Sequence, residues 1–168
     1  MKLLLCLAAF GTMGLVWGCQ PPPRAPNLAR KGSATQISTF PPDASADKAI
    51  DGKRDPDYSH KSCSQTNNEP SPWWRLDLKR TYKVSVVVVT NGNRNPELLL
   101  GAQIRVGDSP NNNNDVCANI TDTSRNPISI CCNERAGRYL SVGIPGRSAT
   151  LTLCEVQVYG RLARKKTC

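Results

Sequence analysis

Ala149-Thr-Leu-Thr-Leu-Cys-Glu-Val-Gln-Val-Tyr159 is the clearest strand of this 168-residue chain. Thr152, Cys154, Val156 and Val158 fall on one face of an extended backbone, and Leu151, Leu153, Glu155, Gln157 and Tyr159 on the other, the two-residue period of a strand. On its N-terminal side, Ala34–Phe40, Trp74–Leu78, Tyr82–Val89, Ala102–Val106, Ile128–Cys131 and Tyr139–Ile144 are also short, alternating or β-branched. Clusters of Pro, Gly and Asn separate them. Val86–Val89 is apolar on both sides, as expected of a central strand, and no stretch of a dozen residues carries a helical stripe. Seven or eight such strands predict an all-β, antiparallel jelly-roll β-sandwich.

Residues 1–18 read as an export leader: Lys2 gives the positive start, Leu3 to Val16 is almost continuously apolar, and Val16 and Gly18 are the small residues a signal peptidase requires. Residues 19–26 form a Pro-rich spacer, 27–160 the domain, and 161–168 a basic tail ending in Cys168. Past the leader, no apolar run approaches the ~18 residues of a membrane span, so the mature chain is expected to be secreted and extracellular. Lys and Arg number 22 against 13 Asp and Glu, for a net charge of +9. That balance suits acidic glycans or an anionic surface, and export makes nucleic acid the least natural partner. The basic residues are scattered apart from Arg161, Arg164, Lys165 and Lys166.

Cysteine usage fits the same compartment. Cys63, Cys117, Cys131, Cys132, Cys154 and Cys168 lie in the body of the chain, Cys19 at the expected cut and Cys6 in the leader. No C-x-x-C pair exists and His60 is the single histidine, which excludes the usual zinc spacings. It also leaves Ser-His-Asp or Cys-His catalysis to a residue in a polar loop with no nucleophile motif beside it. An enzyme is not expected. Asn119-Ile120-Thr121 is an N-glycosylation acceptor.

Three long polar segments, Pro41–Pro72, Thr90–Gly101 and Gly107–Pro127, need something to pin them. In the first, Asp43, Asp47, Asp51, Asp55 and Asp57 offer the hard oxygen ligands calcium takes; the alternative is a solvated loop of Asx-turns.

Several strings, taken together, resemble the F-type lectins, a fucose-binding family built on a calcium-stabilised jelly roll of the discoidin or galactose-binding-domain kind. They are Asn27-Leu-Ala-Arg-Lys-Gly-Ser-Ala-Thr-Gln36, Ala49-Ile-Asp-Gly-Lys-Arg-Asp55, Ser62-Cys-Ser64, Pro72-Trp-Trp-Arg-Leu-Asp-Leu78, Gly101-Ala-Gln-Ile-Arg-Val-Gly107, Gly137-Arg-Tyr139 and Leu153-Cys-Glu-Val-Gln-Val158. The resemblance implies a Ca2+ site with side-chain ligands Asp51, Ser62 and Glu155 and backbone carbonyls at Lys48, Lys53 and Cys154. It also implies disulfides Cys63–Cys154 and Cys117–Cys131, which leaves Cys132, Cys168 and Cys19 to pair among themselves or to join copies into a homo-oligomer. The implied partner is a glycan, in a setting of innate recognition.

The family's fucose donors, a His and two Arg or Lys residues, are replaced here by Gln65, Gly92 and Leu98. Arg94 lies near them but out of register, and His60 is not the sugar histidine. Tyr58, Gln65, Arg94 and the asparagines of Asn91–Asn95 are the candidate ligand-binding residues of a lectin with altered specificity. The alternative is a degenerate scaffold that binds a protein or polyanion. Trp73 and Trp74 open a strand and read as core.

Overall fold

The computed structural model describes residues 19–164. The expected leader and the last four residues of the tail lie outside them. Nine strands follow in chain order: β1 (Ser33–Gln36), β2 (Ser64–Gln65), β3 (Glu69–Pro70), β4 (Trp73–Asn91), β5 (Gln103–Gly107), β6 (Val116–Asn119), β7 (Ile128–Gly143), β8 (Ser148–Ala149) and β9 (Thr152–Leu162). Short 3-10 turns punctuate the long loops at Leu28–Lys31, Ala46–Ile50, Tyr58–His60 and Pro96–Leu99.

One antiparallel sheet runs β2-β9-β4-β7-β5-β6, with β1 added to β4, and β3 pairs with β8. The two longest strands fold this sheet into layers. β4 changes register between Asp77 and Tyr82, where Lys79 takes φ 66°. Its first part pairs with β1 and the end of β7, and its second with β9 and the start of β7. Trp74, Leu76 and Leu78 from the first part, Val84, Val87 and Val89 from the second, and Val156 and Val158 of β9 fill the space between, all at most 2% exposed. This is the sandwich that the alternation predicts, with β4 a central strand of its sheet: Val87 and Val89 face the core, and Val86 and Val88 the outer side. Trp74 closes the core with its indole N–H on the Ala46 carbonyl at 3.0 Å.

The alternation in β9 breaks once. Its pairing with β4 shifts between Thr90 and Asn91, so Leu151 and Leu153, read on the face opposite Val156 and Val158, join them in the core. Cys154 and Glu155, at the irregularity, instead contact the loop of residues 51–63. A β-bulge re-aims side chains in this way.

The disulfides correct one expectation. Cys63 bonds Cys154, but Cys117 bonds Cys132 rather than Cys131, and Cys131 bonds Cys19. Strand geometry supplies the reason. Adjacent residues of β7 point to opposite faces. Cys132 shares the buried face with Ile130 and meets Cys117, which packs against that core, whereas Cys131 faces outward to the N-terminal segment.

That segment is therefore no free spacer. Cys19 anchors its start, and Ala25 packs on Val86, Val88 and Tyr159, an apolar patch on the outside of the second layer. The domain boundary expected at 160 also moves, because β9 continues to Leu162 through Lys83↔Arg161 and Tyr82↔Leu162 pairing. Arg161 grips Glu134 through two N–H groups, each at 2.9 Å.

A buried-edge ion pair braces the first layer. Arg138 donates twice to Asp77, at 2.8 and 2.9 Å, and this guanidinium holds the Asp77 carboxyl far below its ordinary 3.8. The contribution is complete above that ordinary value and fades as pH falls below it, where only the unfolded chain takes up the proton. Asp77→Asn is expected to lower the thermal midpoint by roughly 2–4 °C at pH 7. Melts repeated towards pH 2 should show the gap to wild type closing.

Candidate functional site

Two neighbouring features occupy the end of the sandwich where β2 meets β9. The first is a carboxylate centre. Ser62 and Glu155 each adjoin one half of the Cys63–Cys154 bridge, whose Cα atoms are 3.8 Å apart. The loop returns to the same place at Gly52, whose N–H donates to Glu155 Oε2 at 3.0 Å. Gly52 holds φ 84°, a left-handed conformation that a side chain would strain. Asp51 accepts the Lys53 N–H at 2.8 Å.

Glu155 is fully buried and its Oε1 has no hydrogen-bond partner. Burial, with the Asp51 charge adding to it, pushes its carboxyl up to about 7. A buried, half-satisfied carboxylate beside a second one is costly unless a cation sits between them. Among the described residues no group of three or more His, Cys, Asp or Glu side chains gathers, so any metal here would depend on the Ser62 hydroxyl and on carbonyls. Hard divalent ions accept that donor set. Lys53 is exposed and Lys48 partly exposed, and the Lys48 ammonium donates to the Lys61 carbonyl at 2.6 Å, so only their backbone oxygens are available to the centre. The rest of the acidic run behaves as Asx-turns and ion pairs: Asp55 and Asp57 accept the N–H groups of Asp57 and Ser59, and Asp43 meets Lys61 at 3.1 Å.

The second feature is a cleft of about 440 Å3 that brings Tyr58, Gln65 and Arg94 together. Tyr58 arrives on a 3-10 turn capped by Asp57, Gln65 on β2, and Arg94 on the loop after β4. That loop is secured by Asn93 N–H to the Pro56 carbonyl at 3.0 Å, by the Asn126 side-chain amide, which accepts the Asn91 backbone N–H and donates to the Asn91 carbonyl, and by Arg147 on the carbonyls of Leu98 and Leu100. The Arg94 guanidinium lies 5.6 Å from the centre of the Tyr58 ring, a cation–π contact. Tyr58 Oη is buried without a partner, and burial raises its hydroxyl above the ordinary value, which keeps it neutral and able to donate. Gln65 Oε1 accepts from Thr152 Oγ1 at 3.1 Å, leaving the Gln65 amide N–H2 group as a donor.

Sequence reasoning missed other walls of this cleft. Phe40, 57% exposed, and Thr150 and Thr152 line it with Leu98 and Leu99. Phe40 had read as the end of a strand and Thr152 as one face of another. The register Gln65↔Thr152 is the link between them, and it is a pairing between segments far apart in the chain. Leu98 is itself a wall residue of the cleft. His60 lies outside the lining; it is an exposed partner of Asp55 at 2.6 Å, and that carboxylate raises its pKa. Asn119 is exposed on β6 at the sheet edge. Trp73 departs from the core reading: it is partly exposed on the outer face, with the Arg75 guanidinium 5.3 Å from its ring.

Residues 48–142 match the family model of the NedA-like, galactose-binding domain, which places this sandwich in the class of sugar-binding modules. Fucolectin-1 of Anguilla japonica is 43% identical over 143 residues, 79% of this chain and 79% of that protein. The structure superposes on the f-lectin from Morone saxatilis serum with a TM-score of 0.79 at 44% identity, covering 83% of this chain and 48% of that one, so the chain spans about half of that longer lectin. It also superposes on a Streptococcus pneumoniae fucose binding module with a TM-score of 0.74 at 25% identity, covering 84% and 100%.

The chain belongs to the F-type lectin family. It is a carbohydrate-binding module, and its relatives are lectins rather than enzymes. No helix among the described residues is long and apolar enough to cross a membrane.

Proposed function

We propose that the chain is a secreted, calcium-dependent lectin of innate recognition whose cleft takes a saccharide other than the simple fucose ligand of the family pattern. The observation that carries this is the convergence of Tyr58, Gln65 and Arg94, three residues from three separate loops or strands, in one cleft beside the Glu155 centre.

Arg94 and the Gln65 amide supply donors to sugar hydroxyls, Tyr58 Oη supplies a neutral hydroxyl, and Phe40, Leu98 and Leu99 supply apolar surface for the C–H face of a pyranose. Losing one charge-assisted bond costs about 1.5–3 kcal/mol, so the replaced positions at Gln65, Gly92 and Leu98 are enough to remove a weak monosaccharide affinity of about 4 kcal/mol. Asp51, Ser62 and Glu155, with the carbonyls of Lys48, Lys53 and Cys154, would hold Ca2+. When bound, the ion would neutralise the two carboxylates and fasten the 51–63 loop to β9. Asn119 is the expected glycosylation site.

A glycan array read with calcium and with chelator tests this. Calcium-dependent binding to a defined glycan is expected, lost with Arg94→Ala and not converted to fucose binding by Gln65→His alone. An array silent in calcium would overturn the lectin reading in favour of the scaffold one.

A further inference from the structure

The outer face of the first layer carries a second set of groups that the cleft does not use. Register aligns them in two rows across β4, β7 and β5: Trp73, Gly143 and Gln103 in one, and Arg75, Ser141 and Arg105 in the next. Two strand spacings, about 10 Å, separate the two arginines of the second row. Gly143 leaves the middle of the first row without a side chain. The result is a groove of about 370 Å3, walled on one side by Asn112 and Asn113 of the loop after β5. It shares no lining residue with the cleft around Tyr58 and Arg94.

The chemistry of the groove is specific in three ways. First, it is cationic: Arg105 lines it and Arg75 stands at its edge over the Trp73 ring, and among the described residues neither forms an ion pair. The acids of this side are engaged elsewhere, Asp77 by Arg138, Asp115 by Arg135 and Asp108 by Thr81 and the Arg138 N–H. Both guanidiniums are nonetheless held in place. Arg105 donates to the Asn114 carbonyl at 2.6 Å and to Gln103 Oε1 at 2.7 Å, and Arg75 to the Pro110 carbonyl while lying over the Trp73 ring.

Second, Trp73 offers partly exposed aromatic surface in a chain whose Trp74 is fully buried. Third, Asn112 Oδ1 is buried without a partner. It is an acceptor, open to a donor from whatever occupies the groove. Sulfate or phosphate oxygens satisfy arginines but donate nothing to Asn112, whereas a sugar hydroxyl donates and a pyranose ring covers an indole.

We propose that this groove is a second carbohydrate site, for a sulfated saccharide: ester sulfates on Arg75 and Arg105, a ring face on Trp73 and a hydroxyl donating to Asn112. It is independent of the cleft and does not involve the proposed Ca2+ centre.

The test titrates the full chain with a heparin-derived octasaccharide and with its desulfated counterpart, following tryptophan emission and heat. Sulfated probe should bind and shift the emission, and the shift should vanish in Trp73→Phe. Arg75→Gln and Arg105→Gln should each weaken binding about tenfold or more, while Arg164→Gln, which removes an equal charge from the tail, changes it less than about twofold. Arg105→Lys, which keeps the charge but not the fork, should fall between, and it serves if the Gln variant folds poorly.

Equal losses in all three single-charge variants would overturn the proposal as diffuse attraction. So would equal binding of the desulfated probe or of vesicles containing phosphatidylserine. Chelator and Arg94→Ala should leave this binding intact, so its failure and a failure of the cleft reading are told apart.

Discussion

Serine at both Cys63 and Cys154 lowers stability by about 4–5 kcal/mol, because the bridge spans a sequence separation of 91 and the chain entropy it removes from the unfolded state grows with the loop it closes. For a domain of this size that is a fall of roughly 10–18 °C in a non-reducing thermal melt. The same variant should lose any response to calcium, since Ser62 and Glu155 are the neighbours of the two cysteines and no other covalent link holds them together. Cys19–Cys131 and Cys117–Cys132 remain in the variant and keep the rest of the framework constant. A fall of only a degree or two would show that the Gly52–Glu155 bond and the β2–β9 pairing hold the loop without the bridge.

Exchanging chelator for calcium gives the second large effect. At a hundredfold excess over the dissociation constant, calcium adds about 2.7 kcal/mol, a rise of roughly 5–10 °C, and Glu155→Gln should abolish it. In chelator the pH dependence has a defined sign. Glu155 keeps its proton in the folded state up to about 7, while its unperturbed value is 4.5. The folded state is favoured while both forms are protonated. Stability then declines as pH rises through 4.5 and towards 7, by about 3 kcal/mol in all. Glu155→Gln carries no such charge and should be flat over that range, ending more stable than the calcium-free wild type at pH 8. A calcium-free wild type whose midpoint does not fall between pH 5 and pH 8 would contradict the burial of that carboxylate.

The all-β sandwich, its central strand and most strand positions were legible because alternation records which face is wet. The joins were harder to read. Lys79-Arg80-Thr81 looks like a turn, yet the backbone runs through it as a bend within β4. Asn133 and Glu134, both at positive φ, interrupt the strand signal in the same way while β7 continues from Ile128 to Gly143.

Strand residues whose burial follows from alternation were placed well, as with Trp74 and Val87 in the core. Cys131 and Cys132 were misassigned because a one-residue difference inverts the face, and nothing in the spacing says which face Cys117 meets. Trp73 and Trp74 pose the same ambiguity: one of two adjacent indoles had to point outward. Phe40 and Thr152 belong to the cleft through contacts between distant segments, and local pattern carries no record of those.

The short β2–β9 pairing has a thermodynamic consequence. Gln65 and Thr152 face each other at the cleft end of this ladder, and Ser62 and Glu155 lie three residues further along, about 10 Å away, with Cys63–Cys154 riveted between. A sugar that orders the first pair and a cation that orders the second therefore restrain the same two backbone segments. Whatever factor calcium adds to glycan affinity, glycan must add to calcium affinity. Titrating calcium with the sugar absent and then saturating would measure how stiff that shared ladder is.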